Sequence, residues 1–354
     1  MIKIYTDLNH YTAANRSHLA DILRPYVNQR TTAQNKDIYG EQISQYKIIE
    51  SLADADICIL PMSWGHYLQA NLLNLAIEFI RQAKTHNKPV AIWVMGDHGI
   101  NIPLQDIWEF RRSGYNSKRK PHQFALPVFI NDPLPFLQIE HIEIRQKQVT
   151  PSIGFCGQAN DNLPRKISKV MRAGLHNLKF HMGLSPYEPM PLYPPTALRA
   201  KALDILDKHP HIRTDFIRRK YYRAGARTLA EVEMTKQAFF YNIRDSDYTL
   251  CVRGSGNFSA RLYETLALGR IPIFVDTDCI LPYDHLVDWR RYTLWVDQRE
   301  IDRLPHMLLD FHHSLSAADF IELQFKIRQF WQQWLSFSGF FSNFETHFQL
   351  MMEI

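Results

Sequence analysis

The residues best suited to chemistry lie in one short segment, 251–276, which reads CVRGSGNFSARLYETLALGRIPIFVD. Its two apolar ends predict buried strands, and the part between them predicts a loop and then a helix with Ser259 as its N-cap. Gly254 and Gly256 permit positive φ angles and close backbone approach, so amide groups can converge on an anion. We therefore expect a phosphate-binding loop that comprises Gly254, Gly256, Asn257 and Ser259.

Two arginines and a glutamate flank this loop. Hydrogen bonds to charged groups contribute about 1.5–3 kcal/mol each, whereas a helix dipole contributes about 0.3–1 kcal/mol, so Arg253 and Arg261 should dominate anion binding. Glu264 lies on the same helix face as Arg261 and could accept hydrogen bonds from two ribose hydroxyls. The set predicts a bound nucleoside diphosphate. A surface ion pair between Arg261 and Glu264 is the structural alternative.

The same segment partly matches the dinucleotide fingerprint. Gly254 and Gly256 are followed by an acid, Asp276, at the end of the next strand, about 20 residues on. Ser259 replaces the expected third glycine, and the fingerprint would normally stand in the first βα turn. A NAD(P)-dependent oxidoreductase is therefore one alternative function. A protein that binds nucleotide sugars without turnover is another.

The elements that must position these residues form an α/β pattern with two halves. In the first half, strands are predicted at 2–6, 56–61 and 89–95, with helical patterns at 41–52 and 68–80. An alternating segment at 137–145 leads to the second half. The second half predicts strands at 152–156, 212–217, 248–252, 271–275 and 292–296, and helices at 165–175, from 196, at 229–241 and at 260–268.

Consecutive α/β halves predict two Rossmann-like domains whose parallel sheets face each other across a cleft. We expect an N-terminal domain at 1–150 and a C-terminal domain at 151–328. The aromatic-rich tail at 329–354 is expected to form a helix that packs back on the N-terminal domain.

From residue 153 to the C-terminus the sequence resembles the exostosin-like glycosyltransferases. The family's run C-x-R-G-x-G-x-x-S-x-R-x-x-E, its following G-x-I-P and its acid before a Leu-Pro-aromatic turn are all present. The matching residues are Cys251, Arg253, Gly254, Gly256, Ser259, Arg261, Glu264, Gly269, Ile271, Pro272, Asp276, Leu281, Pro282 and Tyr283. Upstream, Gly157 and Arg165 fit the family's first donor-side strand and loop.

The resemblance implies a GT-B fold, with an acceptor-side N-terminal domain at 1–150 and a nucleotide-sugar-binding C-terminal domain at 151–328. It implies an inverting glycosyltransferase that uses a UDP- or GDP-linked sugar as donor, with no metal cofactor. It also implies a glycan or lipid-linked acceptor. Animal and plant members of the family usually begin with a membrane anchor, which this sequence does not show. We therefore expect a bacterial, cytoplasmic enzyme of polysaccharide biosynthesis, with peripheral contact at the inner face of the membrane as a further possibility.

An inverting transfer needs a base for the acceptor hydroxyl. Ligands of open α/β sheets bind beyond the carboxyl ends of the strands. In the N-terminal domain this rule nominates Asp7, His66, Asp97 and His98, and Asp97, directly after the strand at 89–95, is the preferred catalytic base.

Composition limits the other classes of function. The net charge of +5 favours anionic partners, and no nucleic-acid module is recognisable. The four cysteines and sixteen histidines show no metal-ligand spacing. No apolar run approaches the roughly 20 residues that span a bilayer. A basic segment at 111–120 is predicted to be a solvated loop, or else to contact an anionic acceptor or lipid phosphates.

Overall fold

The structure is a computed structural model that describes residues 1–27, 39–159 and 163–353. The side chains of residues 42, 163–166, 222, 223, 349 and 351–353 lie outside this description. Two parallel sheets with surrounding helices form the architecture. The predicted fold class, an α/β protein with two parallel-sheet, Rossmann-like units, is confirmed.

The first sheet has six parallel strands in the order β2-β1-β3-β4-β5-β6. Their bounds are β1 Ile2–Tyr5, β2 Tyr46–Ile49, β3 Ile57–Ile59, β4 Val90–Val94, β5 Trp108–Arg111 and β6 Gln123–Ala125. The accompanying helices are α1 Arg24–Val27, α2 Trp64–Gln69, α3 Leu73–Thr85 and α4 Pro133–Phe136. The central strand β4 is buried along its whole length, as expected of a parallel sheet covered on both faces.

The second sheet has five parallel strands in the order β11-β10-β9-β7-β8. They are β7 Ser152–Gln158, β8 Arg213–Arg219, β9 Tyr248–Cys251, β10 Ile271–Asp276 and β11 Leu294–Asp297. The helices are α5 Leu163–His181, α6 Pro195–Asp207, α7 Leu229–Arg244, α8 Ala260–Ala267, α9 Leu304–Ser314 and α10 Ala317–Phe330. In both sheets the first strand lies between the second and the third, so the direction of strand progression reverses there.

Three local predictions differ from the structure. The helix predicted at 41–52 is wrong: a short 3₁₀ helix, Glu41–Gln45, precedes β2, which pairs with β1. The sequence also gave no sign of β5, because its buried residues include the charged pair Glu109 and Arg111. The segment at 137–145 forms no regular element, yet its apolar residues pack on α7.

The aromatic tail lies in the core of the first sheet. After a π-helical turn at Trp331–Leu335, helices α11 Phe337–Ser342 and α12 Glu345–Glu353 end the described chain. Phe344 is fully buried, and its ring centroid lies 4.9 Å from that of Phe110 and 6.3 Å from that of Trp93. The tail therefore connects the last helices of the second unit to the hydrophobic core of the first.

In the described part of the chain, none of the helices combines the length and the hydrophobicity that crossing a bilayer requires.

We expect Phe344→Ala to lower the free energy of unfolding by about 3–5 kcal/mol, since it removes a large buried ring and leaves a cavity. Chemical denaturation measures this loss. Phe325→Ala is the matched control, because the Phe325 side chain is 54% exposed, and it should change the free energy by less than about 0.5 kcal/mol. Equal losses in the two variants would contradict the assigned position of the tail.

Candidate functional site

The candidate site lies where the order of the second sheet reverses, between β7 and β9. In open α/β sheets ligands bind at such a point, beyond the carboxyl ends of the strands. Gly157 is the last residue but one of β7, and Arg253 follows β9 by two residues, so the two segments singled out from the sequence meet here. The topology therefore brings the predicted donor-binding residues to one edge of the sheet.

Arg253 is buried beside the N-terminal domain. Its Nη1 donates to the Tyr115 hydroxyl at 3.2 Å, and its Nη2 donates to the Ser255 carbonyl at 3.1 Å. The guanidinium carbon also lies 5.8 Å from the centroid of the Tyr115 ring. Its Nε is buried without a hydrogen-bond partner among the described residues. Arg253 therefore faces the boundary between the two sheets and retains a free donor.

Arg261 lies flat against aromatic rings on the opposite wall of the site. Its guanidinium carbon is 4.2 Å from the ring centroid of Phe155, and its Nη2 donates to the Cys156 carbonyl at 2.8 Å. A Cβ added at Gly157 would lie 2.5 Å from this Nη2. Gly157 is thus needed for Arg261 to occupy its position. Burial lowers the pKa of Arg261, although the guanidinium stays charged at neutral pH.

A third arginine, Arg199 on α6, completes the group and was missed by the sequence analysis. Its Nη2 donates to the Arg253 carbonyl at 2.6 Å, and its Nη1 donates to the Gln158 carbonyl at 3.1 Å. Burial, with the charges of Arg261 and Arg253, lowers its pKa to about 9. Arg199 stands 54 residues before Arg253 in a sequence with no motif around it, so only the fold reveals its position.

These three residues, Arg199, Arg253 and Arg261, form what we call the arginine cluster. In the part of the chain that the structure describes, no carboxylate oxygen lies within 4.0 Å of their guanidinium nitrogens. The Nε atoms of all three are buried and unpaired there. Buried charges are normally compensated by a counter-ion. The cluster is therefore suited to bind a multivalent anion such as a diphosphate.

Glu264 is the residue that the sequence analysis predicts to contact the ribose hydroxyls. Burial raises its pKa to about 7, and the charge of Arg261 opposes this rise. The surface ion pair considered as the structural alternative is not present, since no contact of 4.0 Å or less joins these two described side chains. Its assignment to donor binding stays a prediction.

The glycine-rich loop is shaped by close contact, and the positive φ angles expected from the sequence do not occur at Gly254 or Gly256. A Cβ added at Gly256 would lie 2.8 Å from the Asp97 carbonyl oxygen, so this loop touches the segment that follows β4. At Gly254 an added Cβ would meet only ordinary contacts at 3.8 Å. The protein's own packing therefore leaves space beside Gly254.

Asn257 has a different role from the one predicted. Its amide nitrogen donates to the carbonyls of Gly114, Thr277 and Asp278, and its amide oxygen accepts from the Thr277 hydroxyl. The residue is fully buried, which leaves no atom of its side chain for a donor molecule. We therefore correct its assignment: Asn257 positions the loop. Ser259 is the N-cap of α8 by position, but its hydroxyl makes no capping hydrogen bond.

The basic segment at 111–120 docks on the second unit, and only its middle residues, Asn116, Ser117 and Lys118, are exposed to solvent. The Ser117 hydroxyl and amide donate to the Asp278 carboxylate, the amide at 2.9 Å. Arg119 makes a bidentate contact with Asp284 at 2.6 and 2.8 Å. The side chain of Arg111 pairs with Glu188 at 2.7 Å. The segment thus joins the two units beside the arginine cluster.

The predicted base, Asp97, lies directly after β4, where Gly96 turns the chain with a φ of +104°. Asp97 is exposed, and its backbone touches the glycine-rich loop as described. Its neighbour His98 is half-buried. Burial lowers the pKa of His98, and the charges of His176 and Arg253 act in the same direction. Both residues therefore stand at the end of the first sheet that faces the cluster.

The other two nominated residues lie elsewhere on that sheet, with a group of histidines. Asp7 is 3.5 Å from His10, whose Nδ1 is 2.7 Å from the Tyr67 hydroxyl. His66 stacks on His18 with ring centroids 4.9 Å apart. The structure does not bring Asp7 or His66 into contact with the arginine cluster through any described hydrogen bond. The Arg165 side chain lies outside the described residues, so its predicted role stays a prediction.

One family model of known proteins matches part of the chain. Residues 195–310, which contain the whole arginine cluster, match the Exostosin GT47 domain. The exostosin-like resemblance is therefore confirmed over this part of the chain.

Among curated relatives, a probable glucuronosyltransferase of Oryza sativa subsp. japonica is 28% identical over 99 residues, 25% of this chain and 23% of that protein. Exostosin-1 of Drosophila melanogaster is 26% identical over 92 residues, 26% of this chain and 12% of that protein. A probable glucuronosyltransferase of Physcomitrium patens is 25% identical over 105 residues, 27% of this chain and 23% of that protein. The match thus spans less than a quarter of each relative.

Solved structures give only distant similarities. A glycosyltransferase from Rickettsia africae has a TM-score of 0.39 and 11% identity, covering 100% of this chain and 99% of that one. A mutant of S. aureus TarM, solved with fondaparinux, alpha-GlcNAc-glycerol and UDP, has a TM-score of 0.35 and 8% identity, covering 83% of this chain and 55% of that one. The assignment of the fold class therefore depends on the two parallel sheets described above and not on these structures.

The raised pKa of Glu264 makes stability depend on pH. Because the pKa is about 7 when folded and 4.5 in the reference state, the unfolded chain loses its proton first as the pH rises. Wild-type stability should therefore fall between pH 4.5 and 7, relative to Glu264→Gln, by on the order of 3 kcal/mol. Denaturation curves across this range measure the difference.

Glu233→Gln is the matched control, since Glu233 is an exposed glutamate on α7. It should follow the wild-type pH profile. Identical profiles for wild type and Glu264→Gln would mean that Glu264 is not buried in the folded protein.

Proposed function

We propose that this protein is an inverting glycosyltransferase that moves a sugar from a nucleotide diphosphate sugar to a hydroxyl acceptor. The observation that carries the proposal is the arginine cluster, in which the buried Arg253 and the half-buried Arg199 and Arg261 have no carboxylate partner among the described residues, at the reversal point of the second sheet. Its position within residues 195–310, the segment that matches the Exostosin GT47 domain, supports the same assignment.

In this mechanism the arginine cluster stabilises the departing diphosphate. Negative charge develops on the leaving group as the glycosidic bond breaks, and preformed donors in a buried site stabilise that charge most effectively. The hydrogen bonds of Arg199 and Arg261 to backbone carbonyls hold the guanidinium groups in place before the donor binds. Glu264, when ionised, would accept hydrogen bonds from the ribose hydroxyls. We propose that no metal ion is needed for this charge compensation.

The acceptor hydroxyl must lose a proton as it attacks the anomeric carbon. We assign this step to Asp97, which is exposed directly beyond β4 in the segment that touches the glycine-rich loop. The attacking oxygen and the departing diphosphate lie on opposite faces of the sugar in an inverting reaction, so base and cluster belong on opposite sides of it. Asp97 and the arginine cluster come from the two facing units.

A cavity of about 600 Å³ lies beyond the carboxyl end of β10, and its lining suits the sugar of a glycan acceptor, although neither the arginine cluster nor Asp97 lines it. Its lining combines carboxylates with indole rings, as in Asp276, Asp278, Trp289 and Trp295. Asp276 uses one carboxylate oxygen for the amides of Asp278 and Cys279, and burial raises the pKa of Asp276. Carboxylate oxygens accept hydrogen bonds from sugar hydroxyls, and aromatic rings cover the apolar faces of sugars.

The alternatives are weaker on present observations. Nothing in the structure or in the comparisons favours a nicotinamide-dependent oxidoreductase. A binding protein without turnover would need the same arginine cluster, so transfer or hydrolysis of the donor separates it from an enzyme.

We expect Arg199→Gln and Arg261→Gln each to weaken UDP binding by about tenfold or more, since each removes a charged hydrogen-bond donor worth about 1.5–3 kcal/mol. Isothermal titration calorimetry with UDP, GDP and NAD measures this. Arg218→Gln is the matched control, because Arg218 lies on the outer strand β8 and forms an ion pair with Asp204 of α6. Unchanged UDP affinity in both cluster variants, or tighter binding of NAD than of either diphosphate, would contradict the proposed function.

We expect Asp97→Asn to lower the transfer rate by about 100-fold or more, the usual contribution of a positioned base. UDP affinity should stay unchanged, because Asp97 belongs to the other unit. Initial rates with a panel of nucleotide sugars and glycan acceptors measure the effect. Asp106→Asn, at an exposed aspartate of the same unit, is the control. If Asp97→Asn transferred sugar at close to the wild-type rate while His98→Gln lost most of its transfer rate, the catalytic base would be His98 and not Asp97.

A further inference from the structure

Helix α5 carries a row of exposed apolar side chains that the proposed function does not use. Ile167, Met171, Leu175 and Leu178 on α5, and Met182 directly after it, recur at spacings of four, four, three and four, which places them on one face. Each is between 53% and 70% exposed. We call this set the apolar stripe. Water-exposed rows of this size usually mark an interaction surface, whereas single exposed residues do not.

The opposite face of α5 is attached to the rest of the molecule. Ala173 is buried, and the Asn177 side chain makes two hydrogen bonds of 2.8 Å with the Met190 backbone. His176 lies 2.9 Å from the Glu188 carbonyl oxygen. These contacts fix the rotation of α5 about its axis, and the apolar stripe is the face that points outward.

The charge of α5 indicates which partner fits the stripe. Its 19 residues include five lysines and arginines and no aspartate or glutamate: Arg165, Lys166, Lys169, Arg172 and Lys179. Amphipathic helices with basic polar faces are typical of segments that lie in the interface of an anionic membrane. A second copy of the chain fits poorly, because pairing two such helices would bring ten cationic side chains together.

We propose that α5 is an interfacial membrane helix, whose apolar stripe enters the surface of a bilayer while the exposed Arg172 and Lys179 contact anionic phospholipid headgroups. This surface replaces the two segments that the sequence offered for such contact. The basic segment at 111–120 docks on the second unit, and the aromatic tail is buried in the first core. The inference does not depend on the proposed sugar transfer.

A helix held in this way would also orient the candidate site. Glu188, which His176 contacts, pairs with Arg111 of the first unit, and the His98 ring centroid lies 6.0 Å from that of His176. The segment after β4 therefore lies on the inner side of α5. A bilayer against the stripe would therefore lie on the other side of α5 from this segment.

Flotation with vesicles of phosphatidylcholine containing about 30% phosphatidylglycerol tests the proposal. We expect the wild-type protein to float with these vesicles, and much less with pure phosphatidylcholine or at 1 M salt, where charges are screened over about 3 Å. The double variant Leu175→Ser/Leu178→Ser should reduce the vesicle partition coefficient by about tenfold or more, because it removes apolar surface from the interface.

The matched control is Leu75→Ser/Ile77→Ser on α3, which alters two apolar side chains that are 45% and 46% exposed outside the stripe. It should float like wild type. Arg172→Gln/Lys179→Gln should weaken flotation only with anionic vesicles. Tryptophan fluorescence of Leu175→Trp should shift to the blue when anionic vesicles are added.

Three results would overturn the proposal. Wild-type protein that does not float with anionic vesicles excludes the surface directly. Equal loss in the stripe and control variants shows that the stripe is not the contact. A wild-type dimer in sedimentation velocity that Leu175→Ser/Leu178→Ser abolishes, without vesicle binding, assigns the stripe to a second copy. UDP binding is also measured in Leu175→Ser/Leu178→Ser, so that failure of the membrane proposal can be distinguished from failure of the proposed glycosyltransferase function.

Discussion

The guanidinium groups of Arg199, Arg253 and Arg261 lie together in a buried site, and their mutual repulsion must be offset by the rest of the fold. Hydrogen bonds to carbonyl oxygens do part of this, at Gln158, at Cys156 and at Arg253 itself. The Phe155 ring beneath Arg261 adds a favourable contact with its cation. Such an arrangement lowers stability in the absence of an anion, and sites kept at this cost are usually functional.

The loop beside the arginine cluster also holds the two units together. Asn257 ties the glycine-rich loop to the Gly114 carbonyl on one side and to the Thr277 and Asp278 carbonyls on the other. The loop then contacts the backbone of Asp97, which only a glycine at 256 allows. One buried amide thus sets the distance between the cationic wall of the site and the end of β4. Residues that bind no substrate in this arrangement still determine its geometry.

Local sequence features were sufficient for the second sheet and for much of the site. Arg253, Arg261 and Glu264 share one strand-loop-helix unit, so their proximity follows from the chain itself. Arg199 could not be found in this way, because its place beside Arg253 depends on how α6 packs on the sheet. The same limit applies to β5, where Glu109 and Arg111 are buried only because they pair with Gln123 and Glu188. Long-range pairing of polar groups leaves no periodic pattern in a sequence.

The aromatic tail is buried whereas the apolar stripe of α5 is exposed, and the difference has an electrostatic reason. The tail around Phe340, Phe341 and Phe344 has aromatic residues on several sides, and the first core surrounds them. In α5, by contrast, the apolar residues occupy one narrow face beside a dense set of cations. Burying that face in a protein core would also desolvate the exposed Arg172 and Lys179 beside it, which is costly. In the proposed membrane contact, the aliphatic side chains would reach the acyl region while these two cations remain hydrated near anionic headgroups.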